Sequence, residues 1–243
     1  MTHPVNSLSV VVPVHNEEAI LESQVTAMAA GLARLGRPFE LLIVENGSTD
    51  RTLRLGQDLA KRVPGVRVLT LPEGDYGLAL RHGILQARND VVIVFNVEFW
   101  SLEFVDIALA ALQTREMVIG SKSAPGAHDE RPALRRTITR TYNLMLRWLW
   151  GFDGTDTHGM KAFHRAALAP IVEVCRSSGF VFDTELVLRA QRAGVSKIEL
   201  PTDARELRAP SNRSLFRRVP DVLANLLRLW RGLRDSGKRD GLR

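Results

Sequence analysis

The chain is predicted to fold as a single α/β unit: a mostly parallel, Rossmann-like sheet flanked by helices, carrying a short C-terminal appendage. Three observations predict it. Short, β-branched apolar runs at residues 8–14, 39–44, 66–71, 91–95 and 117–120 alternate with segments whose apolar residues recur at helical spacing. The runs end abruptly in polar residues instead of alternating in polarity, the pattern of strands covered on both faces. A length of 243 residues supplies one substantial core, so the chain divides into a main domain at 1–213 and an appendage at 214–243.

The first strand closes on Pro13-Val14-His15-Asn16-Glu17. Helical spacing of Ile20, Val25, Met28, Leu32 and Leu35 predicts a helix over 17–35, stopped by Gly36 ahead of Pro38. The second strand ends in Glu45-Asn46-Gly47-Ser48-Thr49-Asp50, with Ser48 or Thr49 the expected cap of a helix over 50–62. A strand at 66–71, helix at 76–88, strand at 91–95, helix at 103–113 and strand at 117–120 continue the alternation. Small, polar and turn-forming residues make 123–130 a loop, and the helix after it, 132–150, carries Arg135, Arg136, Arg140 and Arg147. Beyond a segment around 156–163, helices are expected at 166–176 and 183–193 and a strand at 196–200. Residues 215–234 place apolar positions at helical intervals with interleaved arginines and Trp230, a basic amphipathic helix that suits a membrane interface or packing against the domain.

Charge is unevenly divided. Residues 1–130 hold 11 Lys and Arg against 16 Asp and Glu, whereas 131–243 hold 22 against 11, so an anionic partner is expected for the second half. The single cysteine, Cys175, excludes an internal disulfide. The start lacks a leader-like pattern and no window reaches the ~18 apolar residues of a bilayer span, so the expected location is cytoplasmic, with membrane contact peripheral. The six histidines show no metal-ligand spacing.

The strand-end runs carry a family resemblance. Pro13 to Glu17 and Glu45 to Thr52 resemble the Pro-x-Tyr-Asn-Glu and Asp-Asp-Gly-Ser-x-Asp-Gly-Thr of family 2 glycosyltransferases of the GT-A fold, with His15 in place of the Tyr, Glu45 and Asn46 in place of the two aspartates and Arg51 in place of the second Gly. Gly74-Asp75-Tyr76-Gly77 through Arg81 to Gly83 resembles the glycine-bearing segment that wraps the donor and opens a helix; Asp75 replaces a usual glycine. Asn96-Val97-Glu98 stands where the family has Asp-x-Asp.

Further motifs resemble the dolichyl- and polyprenyl-phosphate sugar synthase subgroup: Gly120-Ser121-Lys122, Asp156 through Gly159-Met160-Lys161-Ala162-Phe163, Gly179-Phe180-Val181-Phe182-Asp183-Thr184-Glu185, and Ile198-Glu199-Leu200-Pro201.

The resemblance implies a nucleotide-sugar donor held by Pro13, Val14, His15, Asn16, Glu17, Glu45, Asn46, Ser48, Gly77, Arg81, Asn96 and Val97. It implies a divalent cation, Mg²⁺ or Mn²⁺, on Glu98 and Asn96, and catalysis by Glu98, Asp156, Lys122 and Arg136 on a polyprenyl or dolichyl phosphate. A diphosphate leaving group gathers negative charge that a cation neutralises, and a phosphate acceptor calls for basic side chains. Nucleic acid does not suit these strand ends. A module that binds without turnover, prompted by Asn96 and Trp100, and a transferase acting on a soluble acceptor are the alternatives.

Overall fold

A computed structural model of the chain describes residues 5–203, 224–230 and 232. Among them, seven strands form one sheet: β1 (Leu8–Val14), β2 (Phe39–Asn46), β3 (Val66–Leu71), β4 (Val91–Val94), β5 (Met117–Ser121), β6 (Lys161–His164) and β7 (Lys197–Pro201). The helices are α1 (Leu21–Ala33), α2 (Thr52–Arg62), α3 (Tyr76–Gln86), α4 (Leu102–Ala111), α5 (Ala133–Trp150), α6 (Arg165–Val174) and α7 (Val181–Arg192).

Successive side chains of a strand point to opposite faces, and both faces here are apolar. Val10, Val12, Leu41 and Ile43 enter a core with α1 and α4, while Val11, Leu42 and Val44 enter a second core with α3, α6 and α7. This is why the strand runs read as continuous rather than alternating.

The sheet order is β3-β2-β1-β4-β6-β5-β7. Strands β1 to β4 are mutually parallel, β5 and β7 are parallel, and β6 runs antiparallel between β4 and β5. The chain builds outward from β1 through β2 to β3, then returns to the other side of β1 with β4. The crevice at such a reversal is where open α/β sheets take ligands. Because β6 is antiparallel, its first residue lies beside the ends of both neighbours: Lys161 pairs with Val94 and with Ile119. The segment leading into β6 is thereby delivered to the same edge as the carboxyl ends of the parallel strands.

Three local expectations are corrected. Helix α1 begins at Leu21 rather than 17, and the residues ahead of it are held to the neighbouring turn by N–H groups of Glu17 and Glu18 that donate to Thr52 Oγ1 (2.8 Å) and Asp50 Oδ2 (3.2 Å). Neither Ser48 nor Thr49 caps α2; Asp50 Oδ1 accepts from the Thr52 N–H at 2.9 Å, since Ser48 and Thr49 are tied to Asn16. Strand β6 went unseen because its ends are Lys161 and His164, which are buried only because each has a partner, Asp183 and the Leu112 carbonyl.

At the C-terminal side, residues 224–230 are helical, with Leu226 and Leu229 buried in the second core and Leu227 and Trp230 exposed. The rest of the helix expected over 215–234, and the boundary between 213 and 214, lie outside the described residues. Among the described residues no helix is long and apolar enough to cross a membrane.

Candidate active site

Two groups of side chains meet along the sheet edge. The first lies at the ends of β1 and β2. Asn16 adopts φ 57°, the left-handed region that Asn tolerates better than most residues, and this turns the chain so that its side chain faces the neighbouring turn. Its N–H donates to Ser48 Oγ (3.0 Å) and its Oδ1 accepts from the Thr49 N–H (2.8 Å). Gly47, at φ 64°, has no room for a side chain, since a Cβ would stand 2.9 Å from the backbone of Glu73 and Gly74.

Buried Glu45 accepts the Ser48 N–H at 2.5 Å, and Asn46 Oδ1 accepts the Asp75 N–H at 2.7 Å. His15 Nδ1 lies 2.7 Å from the Asn46 carbonyl, which can only accept, so Nδ1 carries the proton. His15 Nε2 then accepts from Asn16 Nδ2 at 3.2 Å, and the imidazole presents an exposed edge to the crevice.

Beyond β4, Asn96 is exposed and Glu98 half-buried. Asn96 Oδ1 accepts the Glu98 N–H at 3.0 Å, closing a turn that aligns both residues. Trp100 faces inward: its Nε1 donates to Gln24 Oε1 at 2.8 Å and its ring packs on the first core.

The second group gathers at the end of β5 and the approach to β6. Lys122 Nζ pairs with Asp156 Oδ2 at 3.0 Å, both largely buried, while Asp156 Oδ1 accepts the His158 N–H at 2.8 Å. Burial pushes the Asp156 carboxyl up, but the Lys122 ammonium and the His158 N–H outweigh it and hold the group below its ordinary value, so it is ionised at neutral pH. The approach is tight. A Cβ on Gly159 would stand 1.6 Å from the Gly120 carbonyl oxygen, so only glycine lets the two backbones meet. Glu199 on β7 accepts the Thr155 N–H (2.8 Å), and Asn143 of α5 donates to the Thr155 carbonyl at 2.5 Å, fixing the segment from two sides.

Behind it, fully buried Lys161 donates to Asp183 Oδ1 (2.6 Å) and to the Gly159 carbonyl (3.0 Å). Burial drives the His158 imidazole below its usual pKa, with the Asp183 and Asp156 carboxylates opposing, so it is neutral at pH 7. Its Nε2 must donate to the Phe180 carbonyl (3.0 Å), leaving Nδ1 to accept from Thr157 Oγ1 (2.9 Å). Thr157 then accepts from Thr184 (3.1 Å) and Thr184 from Tyr142 (2.9 Å), whose phenol burial pushes up to about 12.

A single loop joins the two groups. Asp75 Oδ1 caps α3 through the Leu78 N–H (2.9 Å) and also accepts the Gly179 N–H (2.9 Å), while the next residue, Phe180, receives His158 and stacks on Tyr76 with centroids 5.3 Å apart.

The family model described as "Glycosyl transferase family 2" matches residues 9–171, two thirds of the chain and nearly all of this edge. The chain belongs to that family.

Among the relatives of this family 2 chain, glycosyltransferase AglD of Haloferax volcanii is 27% identical over 230 residues, covering 92% of this chain and 37% of its own. The undecaprenyl-phosphate 4-deoxy-4-formamido-L-arabinose transferase of Pseudomonas aeruginosa (strain LESB58) is 31% identical over 178 residues, 72% of this chain and 51% of its own. The chain thus spans between about a third and a half of the length of these curated relatives. In fold it is similar to glucosyl-3-phosphoglycerate synthase from Mycobacterium tuberculosis, solved with Mn²⁺, UDP and phosphoglyceric acid, at TM-score 0.70 and 22% identity over 93% of this chain and 79% of that one. The same enzyme was solved with Mg²⁺ and UDP.

The family 2 residues expected at the site differ in environment, with Glu45 and Asn46 buried in the turn described above. His15, Asn16, Glu17, Ser48, Asn96 and Glu98 line the strand ends exposed or half-buried. Pro13, Val14 and Val97 are buried, the two valines in the first core, and offer a ligand only backbone. Two others have structural work. Arg81 donates to the carbonyls of Val172 (3.3 Å) and Glu173 (3.0 Å), closing the end of α6. Gly77 is needed by packing, since a Cβ would lie 2.8 Å from the Gly179 oxygen and from Phe182 Cβ. Arg136 is exposed on α5, and Lys122 pairs with Asp156.

The sequence reading missed Asp75 as cap and bridge, although an Asp just ahead of an apolar helical run signals a cap. It also missed the Thr155, Asn143 and Glu199 ties, for which no local signal exists.

Proposed function

We propose that this chain transfers a sugar from a nucleotide-sugar donor to the phosphate of a polyprenyl or dolichyl lipid, with inversion at the anomeric carbon, at the cytosolic face of a membrane. The observation that carries it is the buried Lys122–Asp156 pair at the same sheet edge as the ends of β1, β2 and β4. The named relatives in Pseudomonas and the phosphate-bearing acceptor that the name implies support the same reading.

In this reading an oxygen of the acceptor phosphate attacks the anomeric carbon as the bond to the nucleoside diphosphate breaks. The phosphate is already ionised, so it needs placement and charge balance rather than a base. Lys122 supplies charge. Asp156 has both oxygens engaged and no proton to remove, so it serves as a positioning residue that aims the Lys122 ammonium. Arg136 and Arg140, on α5, meet the acceptor's outer charge. On the donor side, the turns of Asn16 and Ser48 hold the nucleotide, and exposed His15 flanks it.

A divalent cation, Mg²⁺ or Mn²⁺, fits this edge in a limited way. Among the described residues no group of three His, Cys, Asp or Glu could hold an ion. Glu98 supplies one hard carboxylate and Asn96 an amide oxygen already accepting one hydrogen bond, a donor set that suits a cation completed by the donor's own phosphates. Bound there, the cation would neutralise the leaving diphosphate. Asn96→Asp should therefore tighten metal-dependent donor binding, and Glu98→Ala should abolish its metal dependence, both read by calorimetry with and without Mn²⁺.

The engaged Asn96 oxygen also favours a second reading, a module that binds the nucleotide sugar without turnover. Release of free nucleoside diphosphate on adding donor, Mn²⁺ and a polyprenyl phosphate decides between them. Release that requires the lipid phosphate, and falls in Lys122→Ala, supports the transferase. Donor binding without release sinks it.

A further inference from the structure

Helix α5 packs Tyr142, Met145, Leu146 and Trp150 on the second core, yet unlike an ordinary surface helix it also turns large apolar residues to solvent. Its buried positions are Asn143 and Leu146, whereas Leu134, Ile138, Leu144, Trp148 and Leu149 are exposed, Trp148 at 85%. At 100° per residue these five fall in one arc of roughly 140°. Arg136 and Arg140, both exposed, fall together in a sector of about 40° along one flank of that arc, whereas the guanidinium of Arg147 in the same sector is turned to the Gly154 carbonyl. The helix contains no Asp or Glu.

We propose that α5 lies in the surface of an anionic lipid bilayer, apolar arc inward and arginine row among the headgroups. Four arginines in 18 residues rule out a span, and the pairing of an apolar arc with a cationic flank is what an interface selects. A second copy of the chain is a poorer occupant. An isologous contact sets this face against itself, bringing arginine to arginine with no acid on the helix to pair them.

The inner edge of α5 ties this surface to chemistry. Asn143 donates to the Thr155 carbonyl (2.5 Å) and Arg147 to the Gly154 carbonyl (3.0 Å), so the helix is fastened to the segment carrying Asp156, the partner of Lys122. Docking α5 therefore sets the Lys122 ammonium beside the lipid surface, where an acceptor phosphate resides. The proposal rests on the lipid-phosphate reading above and goes further by assigning the membrane contact to α5 rather than to the helix expected over 215–234.

The test uses the full chain with vesicles of phosphatidylcholine, with and without phosphatidylglycerol. Sedimentation should require the anionic lipid and decline with salt. Trp148→Glu combined with Leu144→Glu, both at exposed positions, should lower vesicle partitioning about tenfold or more while leaving the thermal shift by nucleoside diphosphate unchanged. Brominated lipid should quench the parent's fluorescence, and Trp148→Phe, but not Trp230→Phe, should remove most of that quenching.

Equal partitioning by the double variant, or quenching that follows Trp230, would overturn the assignment. So would a concentration-dependent dimer that the double variant breaks. Vesicle binding through Trp148 without nucleoside diphosphate release sinks the enzyme reading and leaves the docking surface. Transfer to a short, water-soluble polyprenyl phosphate with no vesicle binding sinks the docking surface alone.

Discussion

Around the ends of β1 and β2 the turns are tied by hydrogen bonds from backbone N–H groups to Asn16, Ser48, Glu45 and Asn46, whereas around the start of β6 comparable hydrogen bonds at Thr155 and His158 are joined by two buried ion pairs, Lys122 to Asp156 and Lys161 to Asp183. The first arrangement leaves polar edges facing the crevice and tolerates exchange of one polar residue for another. The second places charges where each depends on its partner, because an unpaired buried charge costs far more than an unpaired amide. An edge built from exchangeable hydrogen bonds suits a ligand that brings its own charge and counter-ion. A charged, braced edge suits a ligand that must be met by one fixed cation.

That contrast predicts where substitution costs most. Asp183→Ala leaves the fully buried Lys161 ammonium without its carboxylate and should destabilise the fold by about 3 to 5 kcal/mol in urea unfolding, against about 1 kcal/mol for Ser48→Ala on the other half. Equal costs would erase the distinction between the halves. Gly159→Ala comes next. Its Cβ would collide with the Gly120 oxygen, so the backbone of one segment must shift, at a cost of about 2 to 3 kcal/mol. Loss of transfer activity should exceed what the lost stability explains, since the shift separates Asp156 from Lys122.

Asp156→Asn sharpens the comparison through pH. The Asp156 carboxyl is held below its ordinary value of 3.8, so its ion pair contributes stability that is fully present above that value and is lost as pH falls through the lower folded value. The parent should exceed the Asn variant by about 1 to 3 kcal/mol at pH 7, and the gap should close only below the ordinary carboxylate range. A gap that closes between pH 5 and 7 would mean that another group is responsible.

The same difference governs what the sequence disclosed. The parallel strands and the turns that follow β1 and β2 were legible because each is a local pattern: an apolar run, a polar stop, a glycine at positive φ. The β6 half was not, because its strand is four residues with charged or polar ends and its register depends on residues far along the chain. Lys161 belongs in a strand only once Asp183, 22 positions later, covers its charge, and Thr155 is placed by Glu199, 44 positions later. The partners of Arg81 were hidden for a related reason. A family motif names a position, but its guanidinium goes to the nearest unsatisfied carbonyls, here at the end of α6.

Asp75 lies between the two halves, and replacing it should have a small effect on stability and the most informative effect on kinetics. Asp75→Gly removes the cap on Leu78 and the bond to Gly179 together, which should cost about 1 to 2 kcal/mol, while Asp75→Asn should recover most of that because its amide oxygen can accept both bonds. The Gly179–Phe180 loop also receives His158, next to the residues that hold Asp156, so loosening it at Asp75 disturbs the Lys122–Asp156 group as well. Asp75→Gly should therefore raise KM for both substrates, whereas Ser48→Ala should raise it for the donor alone and Lys122→Ala for the acceptor alone. If Asp75→Gly affects only the donor, the loop is a local cap, and the two halves are joined through the sheet rather than through residues 179 and 180.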